Sequence, residues 1–130
     1  MIDYLKSKGF DVESSNDLKR DENGLVFSTA KDWKKYLIKT LKKGYPIIIE
    51  NVEAGGHYRV IFGYDELSKF TKNENNDMLI FSDPADNYDC NNEGYNFAPA
   101  VRTFKMWFDD HHLPKIQKKQ PFITIKGLKK

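Results

Sequence analysis

The sequence predicts an α+β fold, an antiparallel sheet packed against helices on one side, and three observations predict it. Residues 29–43 carry apolar side chains at helical spacing behind a capping signal. Residues 57–64, HYRVIFGY, alternate with the period of a strand and are followed at 78–82 by a second apolar run, MLIFS. The link between those two runs, residues 67–77, is polar and asparagine-rich and reads as a long hairpin loop, which favours an antiparallel sheet.

Element by element, residues 1–8 place Ile2, Tyr4 and Leu5 at helical spacing, and Gly9 stops the helix. Residues 11–28 are polar and turn-rich, with Asn23-Gly24 as a tight turn and Leu25, Val26 and Phe27 as a short apolar piece. The clearest helix follows. Thr29 and Asp32 form an [ST]-x-x-[DE] capping box, and Trp33, Tyr36, Leu37 and Leu41 make its apolar face. Lysines cover the other side, Gly44 closes the helix and Pro46 prevents its return.

Ile47, Ile48 and Ile49 read as a buried strand, followed by the strands at 57–64 and 78–82. Asp83-Pro84 ends the last of these, because proline cannot donate to a ladder. Residues 85–98 are expected to form an irregular polar loop. Pro99 opens a helix bearing Val101, Phe104, Trp107 and Phe108 that ends at Pro114, and residues 122–125 supply a final strand. The 130 residues are expected to make a single domain, 1–130.

Composition narrows the function classes. The 21 basic and 19 acidic residues are spread along the chain and leave a net charge of +2, which gives no reason to expect nucleic acid or an anionic membrane as partner. The single cysteine, Cys90, makes an internal disulfide impossible and agrees with a reducing compartment. No signal peptide and no run of transmembrane length appear, so the expected location is cytoplasmic.

His57 and Asp83 are the candidate catalytic pair. His57 starts one strand and Asp83 follows another. If the two strands are antiparallel neighbours, the carboxylate can accept a bond from one imidazole nitrogen, fixing the tautomer and leaving the other nitrogen for chemistry. Gly55 and Gly56 permit close approach of another backbone. A strand histidine held only for packing is the competing explanation.

Read together, GGHYRVIFGYDE, LIFSDPADNYD, EGYNF and TFKMWFDD closely resemble the C-terminal half of papain-like cysteine peptidases of the bacteriocin-processing type. KDWKKYLIKTLKKGYPIIIE resembles the helix and strand that precede the histidine in that family. The resemblance spans residues 29–125. It implies a papain-like fold, a peptide substrate, His57 as general base and Asp83 as the residue that orients it. No cofactor and no metal are implied.

One part of the pattern is missing. The family's nucleophile stands near the N-terminus of the domain, on a helix opening with a Cys-Gly-Pro-type motif, and no cysteine precedes His57 here. Thiolate chemistry needs the sulfur within reach of the base. The expectation is therefore a catalytically incomplete domain lacking its nucleophile helix. The alternatives are a thiol hydrolase completed by a separate N-terminal segment and a non-enzymatic peptide- or protein-binding module. Cys90 lies among Asp89 and Glu93, whose charges disfavour a thiolate, and it is expected to be inert. Asp109, Asp110, His111 and His112 lack a third ligand at metal-site spacing and read as a charged helix end. Loss of a covering helix would expose an apolar sheet face, so a homo-oligomer or a separate segment over that face is the expected partner.

Overall fold

Strands β1 (Phe10–Ser14), β2 (Ile47–Asn51), β3 (His57–Asp65), β4 (Met78–Ser82), β5 (Tyr95–Pro99) and β6 (Phe122–Leu128) form one sheet, in the order β1-β6-β2-β3-β4-β5. Every neighbouring pair is antiparallel. Four helices accompany it among the described residues: α1 (Ile2–Ser7), α2 (Ala30–Lys42), α3 (Ser68–Thr71) and α4 (Ala100–Lys105). The structure, a computed structural model, describes residues 1–51, 57–82, 95–107 and 119–128, with the backbone alone at 51, 57 and 74.

The α+β class and the antiparallel sheet agree with the sequence. Helix α2 is built as its caps dictate: Thr29 Oγ1 accepts from the Asp32 N–H at 3.1 Å, relieving one of the helix's orphan donors. Past its other end Gly44 takes φ +79, a left-handed conformation that costs glycine no Cβ clash. Trp33 and Leu37 are buried and pack on Ile47 and Ile49 of β2, Ile61 of β3, and Leu79 and Phe81 of β4. Aromatic rings extend this core, with Trp33 and Trp107 centroids 4.8 Å apart and Phe27 and Phe122 5.8 Å apart. Gln120 anchors the loop before α2 to the core: its Oε1 accepts from Phe27 N–H at 2.8 Å and its Nε2 donates to Phe27 O at 2.9 Å.

Four expectations need correction. Residues 10–14 are a strand rather than part of a polar loop, because β6 supplies a backbone partner and Tyr36 and Lys126 bind the Glu13 carboxylate at 2.9 and 3.3 Å. Residues 95–98 belong to the edge strand β5 rather than to an irregular loop, with Tyr95 opposite Ser82 and Phe97 opposite Ile80. Helix α4 ends at Lys105; Trp107 lies beyond it, its indole N–H donating to Pro121 O at 2.8 Å. The helices do not all lie on one side of the sheet: α1 packs beside β1, and Met1, Ile2 and Asp3 border a groove on the face opposite α2. Phe108 and Pro114 lie outside the described residues.

That opposite face is where side chains of the other strand parity emerge. Tyr58, Phe62, Tyr95 and Phe97 are all exposed there, and Phe62 and Tyr95 meet edge to face at 5.5 Å. A bulge between Ile61 and Gly63 sets this arrangement, and Gly63 leaves room for Ile80: a Cβ at 63 would stand 2.8 Å from Ile80 Cδ1. No helix among the described residues is long and apolar enough to cross a membrane.

Candidate functional site

The candidate site lies at one end of the sheet, where β2 and β4 finish and β3 begins. Asn51, the last residue of β2, pairs with His57, the first of β3. On the other side of β3, Val60 pairs with Ser82, the last residue of β4. His57 therefore sits three positions, about 10 Å along the strand, beyond the point where β4 ends. The antiparallel neighbourhood required of a His57–Asp83 pair is present in the backbone, and Asp83 is the next residue after Ser82.

The elements reach this end for identifiable reasons. Ile47 and Ile49 bury one face of β2 against α2, and a one-residue slip would turn them to the open side. The β3–β4 connection is fixed at its far end by a charged latch. Lys34 Nζ on α2 lies 2.6 Å from Glu66 and 3.0 Å from Asp77, and Asp77 also accepts from Tyr64 OH at 2.8 Å and Ser68 N–H at 2.9 Å. Asp77 is 1 % exposed. Burial pushes its pKa up, but the bonds from Ser68, Lys34 and Tyr64 outweigh it and hold the carboxyl below its ordinary value. The register that sets the opposite end of the hairpin is thus tied to α2.

Two buried charged residues flank His57, and the sequence reading passed over both. Glu50, opposite Tyr58 in the β2–β3 ladder, is 3 % exposed and borders the open-face groove, a space of about 410 Å³ shared with Ile48, Tyr58, Ser14 and Ser15. Arg59, two positions from His57, is also 3 % exposed and lays its guanidinium 4.1 Å from the centre of the Phe81 ring. Their signal was a charge interrupting each apolar strand, Glu50 after three isoleucines and Arg59 inside HYRVIF. Adjacent rungs of the β2–β3 ladder thus bury an acid on the open face and a base on the α2 face.

The remaining sequence-singled residues are not brought together by the described structure. Asp83, Gly55, Gly56, Asp89, Cys90, Asp109, Asp110, His111 and His112 lie outside the described residues. Among the described residues no group of three His, Cys, Asp or Glu side chains is placed to hold a metal ion.

No curated protein and no solved structure matches the chain. The sequence does match the Peptidase_C39 like family over residues 12–107, a span that takes in α2, the β2–β3–β4 core of the sheet, the His57 and Asp83 positions and β5. That match covers well over half of the 130 residues, and the chain belongs to the Peptidase_C39 like family.

Proposed function

We propose that this peptidase-like domain carries the base-and-carboxylate half of a cysteine-peptidase site, with His57 as general base and Asp83 orienting it, and that residues 1–130 alone do not cleave peptides. The observation that supports the pairing is the strand register: Asn51 opposite His57 and Val60 opposite Ser82 put the start of β3 and the end of β4 at one end of the sheet. A carboxylate there would hold the imidazole in one tautomer and stabilise the imidazolium formed when the base takes a proton. The reaction also needs a thiolate against the free nitrogen, and the single cysteine follows both residues rather than preceding them. A thiol supplied by a separate segment would complete the site for peptide hydrolysis.

The test is a thiol-directed iodoacetamide probe and a fluorogenic peptide mixture applied to the purified chain and to His57→Ala. The expected result is no hydrolysis, and equal slow labelling of Cys90 in both proteins. Hydrolysis or Cys90 labelling that disappears in His57→Ala would show a complete site within these residues and overturn the proposal.

The open face favours a covering partner as well. Tyr58 and Phe62 are each 45 % exposed, Tyr95 54 % and Phe97 65 %, all on the side opposite α2 and next to partly buried Ile48, Val60 and Ile80. Contiguous exposed aromatics on a sheet face mark an association surface. We assign it to a second copy of the chain or to a separate segment, with peptide, rather than nucleic acid or membrane, as the substrate class.

A further inference from the structure

We propose that the outward face of α2 is a docking surface for an acidic, amphipathic helical segment of a partner protein. This rests on residues remote from His57 and does not depend on the peptidase assignment.

Lys31, Lys35, Ile38 and Lys42 follow at i, i+4, i+7 and i+11, which sets them in one line along the helix directly away from buried Trp33, Leu37 and Thr40. Lys39 flanks the line on one side and Lys34 on the other. These residues, with Glu66 at the Lys34 side, border a shallow trough of about 560 Å³. The line runs about 16 Å at the helical rise. Lys34 is already engaged by Glu66 and Asp77. Lys31, Lys35, Lys39 and Lys42 form no ion pair among the described residues. The only carboxylate in α2 is Asp32, in the first turn.

Two features separate this face from an ordinary solvated one. Soluble helices interleave charges of both signs, because like charges at i, i+4 weaken the helix that carries them. Here one sign runs unbroken through Lys31, Lys35 and Lys39, an arrangement that becomes favourable when an acidic surface faces it. At the centre stands Ile38, half-buried and bordering the same trough as the lysines. A partner helix bearing glutamates at i, i+4 around an apolar line would answer both, laying an apolar residue on Ile38 and carboxylates against the lysines. A phosphate polymer would use the charges but has no use for the isoleucine. The chain's net charge of only +2 makes the attraction local to this face.

The test measures fluorescence anisotropy at low ionic strength with a labelled peptide of about 18 residues, long enough to hold a helix, carrying glutamate at i, i+4 around a leucine line. The comparison probes are a scrambled peptide of the same composition, oligothymidylate and phosphatidylserine–phosphatidylcholine vesicles. The proposal expects saturable binding of the patterned peptide, weakened about tenfold or more by K31Q/K35Q/K39Q/K42Q. It also expects weakening by Ile38→Ser, with both variants melting cooperatively by circular dichroism. No binding of the patterned peptide, equal binding of the scrambled one, preference for oligothymidylate or vesicles, or indifference to Ile38→Ser would each overturn it.

Discussion

Val60 of β3 lies opposite Ser82 of β4 in the antiparallel ladder, so the strand that starts with His57 and the strand that runs into Asp83 share one end of the sheet. The start of β3 and the end of β4, some twenty-five residues apart in the chain, come to one end of the sheet because of that pairing. Everything proposed for the site depends on the hairpin keeping this register.

The Lys34–Asp77 latch should govern the stability of that hairpin. Asp77→Ala removes the buried carboxylate that Tyr64 OH and Ser68 N–H bind and leaves Lys34 paired with Glu66 alone, and it is expected to destabilise the fold by about 2 kcal/mol at neutral pH. The carboxyl's folded pKa lies below its ordinary 3.8, so its contribution is full above that pH and fades as pH falls through the folded value. Urea unfolding of both proteins between neutral pH and pH 3 checks this. A difference that grows on acidification would contradict it.

Tyr36 ties α2 to the two strands at the other side of the sheet, its hydroxyl 2.9 Å from Glu13 Oε1 and 2.6 Å from Thr124 Oγ1. Burial pushes the phenol up to about 12, with the neighbouring Glu13 adding to the rise. Tyr36→Phe is expected to cost about 1 kcal/mol. Because the folded pKa is raised, the tyrosine's contribution is full below its unfolded pKa near 10 and is lost as pH climbs toward 12. Phenolate absorbance during an alkaline titration of wild type and variant would register a transition displaced to that range; an ordinary tyrosine titration would not fit.

Gly63 tests the bulge. Adding a methyl group there drives it against Ile80, and Gly63→Ala is expected to cost about 1–2 kcal/mol. Since the obstructing atoms belong to a side chain, Ile80→Val in the same protein should recover part of that loss. Additive effects of the two substitutions in a thermal-melt cycle would show that Gly63 and Ile80 do not touch.

The open face should make the chain self-associate or bind a covering segment. Light scattering is expected to report a concentration-dependent dimer of the isolated chain, converted to monomer by the pair Phe62→Asp and Phe97→Asp. A wild-type monomer at every concentration would remove self-association from the account.

The sequence made some of this legible and hid the rest for physical reasons. Helix α2, β3 and β4 could be read because caps, a closing glycine and clean alternation all pointed the same way. Strand β1 could not, because Glu13 sits in it only through Tyr36 and Lys126, partners distant in sequence. Strand β5 follows an asparagine-rich stretch and exposes Tyr95 and Phe97, so it lacks the signature of a buried strand. At the site, the GGH and DP motifs singled out His57 and Asp83 by resemblance, whereas buried Glu50 and Arg59 emerge only from burial. A charge inside an apolar strand looks like a surface residue until its environment is known.

The central claim is that Asp83 orients His57, and the most direct measurement is an NMR titration of the His57 imidazole in the wild-type chain and in Asp83→Asn, with His57→Ala used to assign the resonance. A carboxylate beside the ring favours the imidazolium, so the account predicts that the His57 midpoint moves down by about one pH unit in Asp83→Asn. A midpoint unchanged by that substitution would contradict the pairing.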